Sequence, residues 1–312
     1  MNTPADSDSP KLFDNLNTVV ARLRESREVA HKVRHRGHIR ELPSRQGIKR
    51  IIDMMSAVLF PTHYGRPDLH DANIDFYVGD TLSAALSALA EQVRRALLFS
   101  AEEHVPHDGE LAAMAHDLTA RFADLLPDVR AVLVSDLHAA YQGDPAATSI
   151  SEVLLCYPGC VAIIHHRLAH ALYKLGVPLL PRLIADIAHS STGIDIHPAA
   201  TIGNSFFIDH GTGVVIGETA IIGRGVRLYQ AVTLGAKRFP VEADGALTKG
   251  VPRHPIVEDD VVIYAGATVL GRITIGKGST IGGNVWLTHD VPPGSNVSQA
   301  QMTSSSGLPS AM

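Results

Sequence analysis

Two hydrophobic periods divide this chain. Between Gln46 and about Ser190, apolar residues recur at intervals of three and four, which lines one face of a helix. IKRIIDMMSAVLF (48–60) predicts one helix, broken by Pro61. TLSAALSALAEQVRRALLF (81–99) predicts a second, with Thr81 as its cap and a stripe through Leu82, Leu86, Leu89, Val93 and Leu97. The stretch 110–142 predicts two more, divided at Pro127. SISEVLLCYP (149–158) and GCVAIIHHRLAHALYKLG (159–176) predict another pair, the last stopped by Gly176 and Pro178. Ahead of this run, Thr18–Gly37 reads as a basic helix behind a polar, disordered leader at 1–17.

Near residue 194 the period changes to six. Ile196, Ile202 and Ile208 form one frame. Ile216, Ile222, Leu228 and Leu234 form a second, and Val257, Ile263, Val269, Ile275, Ile281 and Leu287 a third. Several are followed by Gly. Such a repeat is a short strand plus a tight turn, and three units make a coil of about eighteen residues. One aliphatic side chain per unit points inward and stacks on its equivalent a coil away, so the coils stabilise only as a stack. The hexads lapse between Gly235 and Pro255, so residues 236–255 are expected to project as a loop, where function concentrates. The predicted organisation is an extension at 1–45, an α-helical domain at 46–193, a β-helix at 194–290 and a tail at 291–312. The fold class is α+β, an all-α domain followed by a parallel β-helix.

Composition narrows the function. The 312 residues are 45% apolar with a net charge of −5, a balance that favours neither nucleic acid nor anionic membrane as partner. MNTPADSDSP is no signal peptide, and no apolar run reaches the length of a membrane span. Cys156 and Cys160 are the only cysteines, which suits a reducing, cytoplasmic setting.

The residues DIHPAATIG (195–203), IDHGTGVVIGETA (208–220), QAVTLG (230–235), RHP (253–255) and YAGATVLGRITIGKGSTIGGN (264–284) carry a resemblance. GDPAA (143–147) and YPGCVAIIHHRLAHALY (157–173) add to it. Together they resemble the serine O-acetyltransferases of cysteine biosynthesis, within the hexapeptide acyltransferases. The resemblance implies a left-handed β-helix, against the usual crossover rule. It also implies acetyl transfer from acetyl-CoA to L-serine, with acetyl-CoA as co-substrate and no tightly bound cofactor.

That chemistry needs a base for the hydroxyl, a donor for the oxyanion, a carboxylate for the substrate amine and a cation for its carboxylate. His210 is the expected base. Asp195 lies fifteen residues earlier, nearly one coil, and can orient it as a dyad. The resemblance gives Asp209 and Asp144 to the substrate amine, Arg253 to its carboxylate, and makes His254 a second active-site histidine. Asp144 also reads as a helix N-cap. Gly235, Ala265, Gly266, Gly282 and Gly283 offer a smooth wall for the pantetheine arm, and Lys277 a cation for a phosphate.

His165, His166 and His170 have metal-like spacing on one helix, but the matching helix of the family needs no metal. A related acceptor such as homoserine is an alternative within the class, and a sugar acceptor is disfavoured by the helical domain with GDPAA. A metal hydratase on the same scaffold is another reading. It would need three metal-binding histidines, for which the β-helix offers His197, His254 and His289 besides His210, and the pairing of His210 with Asp195 suits a base better. An inactive scaffold is disfavoured by the presence of Asp195, His210 and His254 together. The resemblance further implies feedback by cysteine at the serine site and a homotrimer, or a hexamer joined through the helical domains. Family members that dock into the sulfhydrylase end in Ile. This chain ends in Met312, which argues against that complex.

Overall fold

The computed structural model describes residues 15–30, 41–101, 107–238, 242, 245 and 247–299. Helix α1 (Leu16–Glu25) runs into a π-helical stretch at Ser26–Ala30, and the stop expected at Gly37 lies outside the described residues. Helix α2 (Arg45–Leu59) begins at a Ser44 cap that accepts a hydrogen bond from Gly47 N–H, and a short α3 (Pro61–Tyr64) follows. Helix α4 (Ile74–Ser100) starts a full two turns before Thr81, which is therefore interior and no cap. Helix α5 (Asp108–Gly143) is continuous through Pro127. A proline removes one helical hydrogen bond, and burial of Phe122, Leu126, Leu133 and Leu137 on both sides of it outweighs that loss. Helices α6 (Ile150–Cys156), α7 (Pro158–Lys174) and α8 (Leu180–Thr192) complete the domain. Among them α7 is the buried centre, packed on α5, α6, α8 and the first coil.

From Asp195 the chain winds through fourteen short strands in three parallel sheets. The first sheet holds β1 (Asp195–Ile196), β4 (Val215–Ile216), β7 (Thr233–Gly235), β10 (Thr268–Leu270) and β13 (Trp286–Leu287). The second holds β2 (Thr201–Ile202), β5 (Ile221–Ile222), β8 (Ile256–Val257) and β11 (Thr274–Ile275). The third holds β3 (Phe207–Ile208), β6 (Arg227–Leu228), β9 (Val262–Ile263), β12 (Thr280–Ile281) and β14 (Asn296–Val297). Successive strands visit the sheets in turn, which makes a three-sided prism. All the hexad aliphatics from Ile196 to Leu287 are buried inside it, each contributing about 1.5–3 kcal/mol of transfer free energy. A second inward row stands two residues before each of them, as in Phe206, Val214, Val226, Val232 and Val285. Strand β14 pairs with β12, so the coil continues past the boundary expected at 290.

Register explains the phase breaks between the three hexad frames. Val215 pairs with Thr233, an offset of eighteen, but Asp195 pairs with Val215, an offset of twenty. The two extra residues lie between Ile208 and Ile216, at the corner that carries His210. The second break is the projecting loop, which lifts the offset from Thr233 to Thr268 to 35.

Helical domain and prism meet at a buried ion pair. Arg167 of α7 reaches Asp136 of α5 at 3.1 Å, and its guanidinium also donates to the carbonyls of Ile202 and Gly203. Asp136 in turn accepts from Phe206 N–H at 2.8 Å. Breaking such a pair leaves an uncompensated buried charge.

Candidate active site

Asp209 and His210 lie on the corner between the third and first sheets. The two-residue insertion pushes this corner outward, and the His210 side chain is 73% exposed. Its backbone has φ +58°, followed by Gly211 at +90°. Histidine is among the few residues that tolerate the left-handed region, and a Cβ on Gly211 would come 2.4 Å from Ile194. Asp209 is mostly buried beneath, its Oδ1 3.8 Å from His210 Nε2 and its Oδ2 3.1 Å from the Arg227 guanidinium.

Asp144 joins this corner from the helical domain. It is the C-cap of α5 and not an N-cap; Ser149 caps α6, accepting from Glu152 N–H at 3.1 Å. The Asp144 carboxylate accepts from the Tyr157 hydroxyl at 2.5 Å and from Ala146 N–H at 2.8 Å. The Tyr157 hydrogen bond first, then Ala146 N–H, holds its pKa below the ordinary carboxylate value. Asp144 therefore stays ionised and fixed.

The neighbouring corner, between the first and second sheets, carries Arg253 and His254 on the returning end of the projecting loop. Thr219 N–H donates to His254 Nδ1 at 3.0 Å, which leaves the ring proton on Nε2. Burial, and then the Arg253 charge, lower the His254 pKa to about 4. This ring is a neutral hydrogen-bond donor. It packs so closely on Gly217 that a Cβ there would sit 1.9 Å from His254 Cδ2. The Arg253 guanidinium pairs with Glu218 at 2.5 Å, and Thr219 Oγ1 accepts from the N–H groups of Arg253 and His254.

Asp195 lies on the outer face of the first sheet, between these two corners. Among the described residues no hydrogen bond or ion pair joins it to His210; the nearest partner of that ring is Asp209. A side of the prism carries about six residues and spans at most about 20 Å. One chain thus separates the His210 corner from the His254 corner by a full face.

Ala265, Gly266, Gly282 and Gly283 stack below His210 on its own corner, whereas Gly235 lies on the His254 corner. Lys277 lies apart from both, on the third corner, 3.7 Å from Asp260 and 4.0 Å from Asp259. A cavity of about 470 Å³ opens beside Arg253 instead, lined among others by Lys237, Arg238 and Arg272. None of these three, nor Arg227, Glu218, Thr219 and Tyr157, stood out from sequence; only the hexad offsets and the loop return bring them into place.

His165 Nδ1–H donates to Val161 O, His170 Nδ1–H donates to Pro198 O, and His166 is buried against His170. Among the described residues no group of three or more metal-binding side chains gathers, and no helix is long and apolar enough to cross a membrane. Cys156 is exposed and Cys160 buried, both free.

Comparison with known proteins bears on this constellation. The family model for bacterial transferase hexapeptide (six repeats) matches residues 254–289. The plasmid serine acetyltransferase of Synechococcus elongatus is 58% identical over 84% of this chain and 83% of its own length. The chain belongs to the serine acetyltransferase family. Solved relatives agree with the whole architecture. Serine acetyltransferase 1 of Entamoeba histolytica, in complex with L-cysteine, is 34% identical with a TM-score of 0.69 over 90% of this chain and 98% of that one. The soybean enzyme complexed with serine is 32% identical with a TM-score of 0.50 over 81% and 96%. The helical domain followed by a left-handed parallel β-helix is therefore the fold of the family, as the motifs implied.

Proposed function

We propose that this chain moves the acetyl group of acetyl-CoA onto the hydroxyl of L-serine by direct attack, and that each site is completed by a second copy. The observation that carries this is the division of labour between two corners. One holds the exposed His210 between Asp209 and Asp144; the other holds Arg253 and the neutral His254. Asp144 and Asp209 suit the substrate ammonium, and Arg253 its carboxylate. A hydroxy amino acid spans only a few ångströms, and the full face between the corners in one chain supports a site assembled from adjacent copies. A contact between two different patches closes into a ring, and a homotrimer suits a three-sided prism. The helical domains are free to join two such trimers.

In that arrangement His210 takes the hydroxyl proton as the serine oxygen bonds the thioester carbonyl carbon. The carbonyl electron pair moves onto oxygen, where His254 Nε2–H is a suitable donor. Its return breaks the C–S bond, and the CoA thiolate leaves with the proton held by His210. Asp195, on the face beside this corner, is the second carboxylate available to orient the imidazole, as the motif implies. The glycine-lined edge below His210 takes the pantetheine arm, and the cavity beside Arg253 suits the CoA phosphates better than the separate Lys277. L-Cysteine, a near-isostere of serine, fits the same groups and would compete there. Two free thiols support a reducing compartment.

CoA release tests the acceptor. Turnover with L-serine well above that with homoserine or sugars is expected, and no turnover at millimolar L-serine sinks the reading. Mixed oligomers test the shared site. His210→Ala and His254→Ala should each be inactive alone, and co-expression should restore a fraction of wild-type activity. No recovery would place both groups in one chain's site.

A further inference from the structure

Arg227 has a setting that the chemistry above does not use. It faces outward on β6, aligned with Phe207 on β3. Its guanidinium carbon lies 5.1 Å from the Phe207 ring and 4.9 Å from the Tyr229 ring, and Tyr229 stacks on Tyr264 at 4.9 Å. The end of α5 covers it, since a Cβ on Gly143 would sit 3.0 Å from Phe207 and 3.7 Å from Arg227 Cζ. One terminal nitrogen donates to Asp209 Oδ2 at 3.1 Å, while Nε is buried without a partner.

Leaving a buried Nε unpaired costs free energy. The aromatic sandwich offsets that by cation–π attraction, and it fixes the plane of the guanidinium. What the fixed plane secures is one oxygen of Asp209. With Oδ2 held, Oδ1 is left 3.8 Å from His210 Nε2. Arg227 also lowers the mutual repulsion of Asp144 and Asp209, two carboxylates gathered for a single ammonium.

We infer that Arg227 is a positioning residue for the acceptor: by pinning one oxygen of Asp209 it aims the other at the substrate ammonium and His210. This rests on the reading of Asp209 as an amine-binding carboxylate. Lysine would keep the charge but lose the planar fork and the stack, so it should rescue only in part.

Steady-state kinetics of Arg227→Gln, Arg227→Lys, Asp209→Asn and the double variant Arg227→Gln/Asp209→Asn test it. Arg227→Gln should lower kcat/KM for L-serine by about 10- to 100-fold, chiefly through KM, with the KM for acetyl-CoA unchanged. Arg227→Lys should fall between it and wild type, with the thermal midpoint of the oligomer as a folding control. In the Asp209→Asn background, adding Arg227→Gln should cost almost nothing further. An Arg227→Gln enzyme with wild-type constants, or losses that multiply in the double variant, overturns the inference while leaving Asp209 in place. Wild-type turnover by Asp209→Asn alone overturns the reading of Asp209 and the inference with it.

Discussion

The His210 corner and the His254 corner are built from one repeat, yet they hold their histidines in opposite ways. His210 stands on an outward bulge, exposed, in a left-handed backbone conformation, with Asp209 beside it. His254 is folded inward, pinned by Thr219 and seated on Gly217, its proton confined to Nε2. A base must gain and lose a proton during each turnover, so water and a nearby carboxylate serve it. A donor to a transient oxyanion needs only a fixed N–H and no proton exchange, so burial serves it. Exposure and desolvation, applied to the same side chain, suit the two different roles proposed for these histidines.

Replacing the exposed histidine is the strongest way to break this comparison. His210→Ala should lower kcat by about 10²- to 10⁴-fold, with the thermal midpoint and the oligomer unchanged by scanning calorimetry and sedimentation. Comparable activity in that variant removes the base. At the buried corner, Gly217→Val should cost both activity and about 1–3 kcal/mol of stability, because its side chain would displace the His254 ring. Urea titration measures this, and a neutral result means the ring is not held there.

The buried corner also carries a pH signature. His254 is depressed to about 4 from an unfolded value near 6.5. Between those values the unfolded chain binds the proton and the folded one does not. Stability therefore falls as pH drops from 6.5 toward 4, by up to about 1.4 kcal/mol per pH unit from this group. His197, lowered to about 4 chiefly by burial, adds in the same direction. His254→Asn should flatten the slope of urea-derived stability over that window, and an unchanged slope contradicts a neutral His254. The smallest effect is expected at the third corner. Lys277→Ala should change the KM for acetyl-CoA less than about twofold, whereas Arg272→Ala should raise it more.

Much of the scaffold was legible because its core is written one residue at a time. Every hexad aliphatic named from the sequence is buried. The second inward row went unread because it mixes Ala, Val, Phe and Ser, which no hydropathy rule groups. In the helical domain, Thr81 and Pro127 misplaced boundaries, since packing across α4 and α5 overrides both local signals. The histidines and carboxylates of the proposed site are named by the motifs. Its supports are not. Arg227 meets Asp209 across one coil offset of twenty, and Glu218 meets Arg253 across an offset set by the loop. The expected Asp195–His210 contact followed from a spacing of nearly one coil; among the described residues no hydrogen bond or ion pair joins the two, and the carboxylate beside the ring is that of Asp209.

That inserted pair has a wider consequence. Coils above and below it stack in register with buried aliphatics, so the corner's two extra residues leave the strand pairing undisturbed. Chemistry here behaves as a removable attachment. Excising two residues between Ile208 and Val214 is expected to leave a plain eighteen-residue coil that pairs as the others do but lacks the bulge exposing His210. By the same logic, an engineer could graft a two-residue corner of this kind onto an inert coil elsewhere in the stack.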